Sequence, residues 1–191
     1  MFSECTNLGE LELYNFKLSN VKNMEYMFNG CKILTSINLP NMTESSVISL
    51  SHLFSGCSSL KYLNSSSFNS SHVIYMDYMF SDCRFLLNIN LDNFKTSNAL
   101  YMQYMFSDCS SLEYLYLDSF NTSLVVNMKG MFYGCFSLKS LNLTNFNTKS
   151  NRNMSYMFFN LKSLTSLVIN NFNTENVEYM NDLFEGCESI P

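Results

Sequence analysis

Seven cysteines and two histidines are the side chains in this 191-residue chain whose types could do covalent or metal chemistry. The cysteines are Cys5, Cys31, Cys57, Cys83, Cys109, Cys135 and Cys187, at one constant interval apart from one gap, at 161, which Leu161 fills. A thiolate metal centre needs ligands that converge from close spacings such as C-x-x-C. No two cysteines here are nearer than that full interval. His52 and His72 fall outside the cysteine column. If the 26-residue units stack as coils, neighbouring thiols come within disulfide reach. An odd number cannot pair fully, and Leu can replace Cys where an apolar group suffices. The column therefore reads as a ladder of buried free thiols, with some disulfides as the second reading and metal as the weakest. No Ser-His-Asp set, glycine-rich phosphate loop or paired-carboxylate motif is present. The sequence indicates a protein that is not an enzyme, with no cofactor.

The period extends well beyond the cysteines. A Phe recurs as Phe2, Phe28, Phe54, Phe80, Phe106, Phe132, Phe158 and Phe184, with no insertion or deletion. Leu8, Leu34, Leu60, Leu86, Leu112, Leu138 and Leu164 keep the same step, as do Met24, Leu50, Met76, Met102, Met128, Met154 and Met180. Self-similarity of this kind specifies a solenoid. We divide the chain into one domain of seven repeats, 1–26, 27–52, 53–78, 79–104, 105–130, 131–156 and 157–182, with a partial eighth at 183–191.

Within a unit the spacing changes character. Leu115 and Leu117 lie two apart, which places them on one face of a short strand and Tyr114, Tyr116 and Asp118 on the other. Asn, Asp, Ser and Thr follow and mark a turn. Val125, Met128, Met131 and Phe132 are spaced three and four apart, which predicts a short α or 3₁₀ helix. The expected fold class is α/β: a right-handed solenoid with one short parallel strand and one short helix per coil. Neither piece can bury its apolar side alone, so stacking must supply the core. The Met and Phe columns are read as core, and the Asn15, Asn41, Asn93, Asn145 and Asn171 column as turn residues that bond from coil to coil. Ser65 replaces an apolar strand residue and is expected to be a weak spot.

The pattern C-x-x-L-x-x-L-x-L, with segments such as Leu53–Leu60, Asn145–Thr148 and Asn153–Phe158, resembles the 26-residue BspA-like leucine-rich repeat of bacterial and protist surface proteins. The resemblance covers the whole chain and offers no catalytic motif. It implies extracellular or cell-surface display and adhesion to a protein or glycoprotein ligand. The residues alone give no compartment, since no signal peptide is visible.

Composition sets further bounds. Hydrophobic residues make up 47% and charged residues 14%, enough apolar content to bury a core. The net charge is -5 and no basic patch is present, which argues against nucleic acid. No apolar run reaches the length of a membrane span. Six N-x-[ST] sequons occur among 26 Asn, against about five expected by chance, so they are no evidence of glycosylation.

The exposed strand face is the usual binding surface of a solenoid. Its middle coils carry Tyr62, Asn64, Asn88, Asn90, Asp92, Tyr114, Tyr116 and Asp118, the candidate partner-binding residues. Tyrosine offers large contact area with few rotors. Neither terminus resembles a polar cap, so the alternative reading is a filament or scaffold subunit that self-associates head to tail through its ends. A third idea is that the Thr96, Thr122, Thr148 and Thr174 column matches a repetitive surface such as ice or a polysaccharide.

Overall fold

The computed structural model describes residues 1–13, 15–39, 45–64 and 68–190. Ser65, Asn41 and Met42 therefore lie outside the described residues. The strands are short: β1 Ser36–Ile37, β2 Tyr62–Asn64, β3 Asn88–Asn90, β4 Ser140–Asn142 and β5 Ser166–Val168. β1, β2 and β3 pair in parallel as one sheet, and β4 and β5 as a second. Every partner lies one repeat further along the chain, as in Tyr62↔Asn88 and Leu141↔Leu167. Alternation puts Leu63, Ile89 and Leu141 in the core and Tyr62, Asn88, Asn90, Ser140 and Asn142 outside. Tyr114 extends the second sheet by a bridge to Ser140.

The expected helix is absent: none of the described residues is helical. The segment from Met102 to Cys109 shows why. The N–H groups of Met102, Tyr104, Phe106 and Asp108 donate to Asn127, Lys129, Met131 and Tyr133 of the next coil at 2.7–3.0 Å. Those of Met105, Ser107 and Cys109 donate within the coil, to Met102, Tyr104 and Phe106, at 3.1–3.3 Å. An α-helix commits each N–H to its own turn. Here every second one serves the stack. Left-handed backbone at Tyr104 (φ 54°) and Asp108 (φ 57°) breaks what would otherwise become a helix. The same two columns hold Gly30, Gly56, Gly130, Gly134 and Gly186, all with positive φ. Spacings of three and four thus reflect successive tight turns, each tied to the coil ahead.

The core is a set of stacked columns. Rings from Phe2 through Phe28, Phe54, Phe80, Phe106, Phe132 and Phe158 to Phe184 lie nearly parallel, with centroids 5.3–6.1 Å apart. Met76, Met102 and Met128 are fully buried beside them. Asn145 uses its Nδ2 to bond the Leu117 and Phe120 carbonyls of the preceding coil at 2.9 and 2.8 Å.

Candidate functional site

The strand face is built by alternation. With Ile89 and Leu115 held inside, the residues on either side of them face solvent, as does Tyr62 beside the buried Leu63. Tyr62 is 57% exposed, Tyr114 48% and Tyr116 67%. Asn88, Asn90, Asp92 and Asp118 are exposed as well. The register places Asn88 beside Tyr62 and Asn90 beside Asn64. Tyr114 and Tyr116 occupy the same two positions in the coil after β3, so tyrosines flank the asparagines. Of the candidate residues, Asn64 is placed here by its backbone pairing.

Two residues that the sequence reading missed enlarge the patch. Phe85 is 57% exposed and Leu87 is 47% exposed, on the approach to β3. Their counterparts in other coils differ (Ile33 and Ser59; Thr35 and Lys61), so no column marks them. Their departure from the repeat is the signal that could have found them. Lys139 lies over the Tyr114 ring, 5.5 Å from its centroid, and pairs with Glu113. The surface therefore offers ring faces, aliphatic area and amide groups on a backbone held by parallel pairing.

No group of three or more His, Cys, Asp or Glu that could hold a metal occurs among the described residues. All seven cysteines are free thiols. Each from Cys31 onward donates its S–H to a carbonyl in the turn of the preceding coil, for example Cys57 to Phe28 at 3.0 Å and Cys109 to Phe80 at 3.2 Å. Burial pushes the Cys57 and Cys135 thiols up to about 12, so they stay protonated and can donate. His52 is stacked between Tyr26 and Tyr78, at 4.5 and 4.6 Å, and burial lowers its pKa. His72 is exposed, with Nδ1 3.2 Å from Ser71 Oγ. The two histidines belong to different surroundings and form no common site.

Three of the four residues of the threonine column face inward and not a lattice, while Thr174 is exposed. Thr96, Thr122 and Thr148 are buried. Each Oγ1 donates to a carbonyl of the next coil, at Asn121, Asn147 and Asn173, and accepts the N–H of that same residue at 2.7–2.8 Å. Their hydroxyls are spent inside the stack.

Comparison with known proteins places this architecture. The family described as "Mycoplasma protein of unknown function, DUF285" matches residues 1–116 and 102–191. The chain belongs to that family. Among solved structures, a leucine rich repeat protein of T. pallidum is similar at 24% identity with a TM-score of 0.57, covering 90% of this chain and 72% of that one. This likeness establishes the leucine-rich-repeat fold. A leucine-rich repeat protein from Eubacterium ventriosum is 19% identical with a TM-score of 0.37, covering 83% of this chain and 32% of that one. A leucine rich cell surface protein from Faecalibacterium prausnitzii is 17% identical with a TM-score of 0.29, covering 100% of this chain and 73% of that one. No curated protein matches the chain by sequence. No helix is long and apolar enough to cross a membrane among the described residues.

Proposed function

We propose that the protein is a non-enzymatic recognition module, displayed at a cell surface or outside the cell, that binds a protein or glycoprotein partner through its exposed strand face. The observation that carries this reading is the patch of Tyr62, Tyr114 and Tyr116 around Asn88 and Asn90, widened by Phe85 and Leu87. Exposed aromatic and aliphatic area on one face costs solubility and is the usual mark of a partner surface. The surface placement and adhesive role rest on the resemblance to BspA-like repeats. The test is binding of the chain to a panel of extracellular-matrix and cell-surface proteins by interferometry. A Tyr114→Ala/Tyr116→Ala variant is expected to lose more than about tenfold in affinity with unchanged thermal stability. Binding that survives this variant would sink the strand-face reading.

A further inference from the structure

A second bridged ladder runs along the coils, separate from β1–β5. The N–H groups of Ile48, Ile74, Leu100, Val126, Arg152 and Glu178 each donate to the carbonyl of the equivalent residue one coil earlier, at 2.8–3.0 Å. The unbroken ladder fixes these residues in one row, one per coil. Four aliphatic side chains, Ile48, Ile74, Leu100 and Val126, stand between Lys22 at one end and the Arg152–Glu178 ion pair at the other. Ile48 is 37% exposed, while Ile74, Leu100 and Val126 are half-buried. Two apolar neighbours, Tyr75 and Leu124, are also exposed and widen the row.

We propose that this ridge is the contact face of an antiparallel dimer between two copies of the chain. Charge selects both the occupant and its direction. A parallel pair would set Lys22 against Lys22 and Glu178 against Glu178. Reversing one copy about a two-fold axis through Leu100 sets Lys22 of each copy against Glu178 of the other. The same reversal puts Ile74 against Val126, Leu100 against its own equivalent, and Ile48 against the side chain of Arg152, which stays paired with Glu178 of its own copy. The contact is then isologous and closes at two copies. Apolar residues fill its centre and opposite charges lie at its rim. The ridge shares no residue with the tyrosine patch, so a dimer leaves that patch free.

Sedimentation velocity over a dilution series, with engineered cysteine cross-linking, tests the proposal on the whole chain. A monomer–dimer equilibrium that stops at the dimer is expected. Lys22→Glu, an exposed position, weakens the dimer about tenfold, and adding Glu178→Lys restores it. Leu100→Cys cross-links to itself, whereas Lys22→Cys cross-links when mixed with Glu178→Cys and not alone. A chain that stays monomeric at about millimolar concentration would overturn the proposal. So would a dimer indifferent to Lys22→Glu, polymers that grow past the dimer, or Lys22→Cys cross-linking to itself.

Discussion

The thiol of Cys83 donates to the carbonyl of Phe54, 3.2 Å away in the turn of the preceding coil. That carbonyl also accepts the N–H of Cys57 at 3.0 Å. Each cysteine side chain therefore closes the link between its own coil and the turn behind it. The column takes an apolar group, and a protonated thiol adds a donor to it. Leu161 fills the buried position with a larger apolar group and forgoes the donor. The Phe132 carbonyl behind it still accepts the Cys135 N–H, at 3.2 Å, so no buried acceptor is stranded.

From this follows a graded thiol reactivity. Cys31, Cys57, Cys83, Cys109 and Cys135 are buried, while Cys5 and Cys187 are part-exposed. Burial raises the thiols of Cys57 and Cys135 to about 12, which leaves almost no thiolate at pH 8. A thiol reagent at pH 8 is expected to label Cys5 and Cys187 quickly, and the other five only on unfolding. Mass spectrometry of the labelled peptides checks this, and fast labelling of Cys109 would refute it.

Phe106 stacks on Phe80 and Phe132 at 5.5 and 6.1 Å and is fully buried. Phe106→Ala removes a ring from the middle of the column, where the coils on either side are held by backbone bonds and cannot close the gap. A loss of about 3–5 kcal/mol is expected in urea unfolding. The end ring Phe184 is 43% exposed, so Phe184→Ala is expected to cost a small fraction of that.

Asp77 gives a pH prediction with a definite sign. It is 9% exposed, and its Oδ1 and the Gln103 Oε1 are buried without a partner. Burial lifts the carboxyl from 3.8 to about 6, helped by Glu25 and opposed by hydrogen bonds that include one from Ser51. The folded state thus holds this proton more tightly than the unfolded state does. The resulting stability is complete below pH 3.8 and is lost as pH rises through 6. His52, whose pKa is lowered, works in the opposite direction, so the measurement belongs in a His52→Tyr background. There, Asp77→Asn is expected to flatten the fall in stability between pH 4 and 7, a change of at most about 3 kcal/mol. An unchanged pH profile would remove Asp77 as the cause.

How far the sequence reached is clearest in two places. Leu115 and Leu117 alternate with Tyr114 and Tyr116, and a period of two has one structural meaning, so strand and exposed face were both readable. Met102, Met105 and Phe106 have helical spacing, but tight turns that bury every third or fourth side chain have it too. What separates the two is the destination of each N–H, which lies in the next coil and leaves no mark on local spacing. Tyr26, Tyr78 and Tyr104 hide it further, since tyrosine does not advertise the positive φ (57°, 55° and 54°) these positions adopt. The glycines in the same two columns were the available hint. In the site, Tyr62 and Tyr116 were visible through alternation, whereas Phe85 and Leu87 stand outside the strand and break their columns.

Gly130 tests that account of the turns. It occupies the left-handed position (φ 58°) that Tyr104 and Tyr156 fill in the coils on either side. The Tyr104 ring leans over it, into the space a Cβ would take. Lys129 lies beside both flanking rings, 5.9 Å from the Tyr104 centroid and 5.5 Å from that of Tyr156. Gly130→Ala therefore adds backbone strain and a collision together, and is expected to cost about 1–2 kcal/mol. The two contributions separate in a double-mutant cycle. Tyr104→Ala removes the ring, so Gly130→Ala in that background retains the strain alone and costs less. Strictly additive urea-unfolding energies would show that Tyr104 does not press on this turn. A Gly130→Ala variant as stable as the parent would refute the left-handed turn itself, and with it the reason that no helix forms.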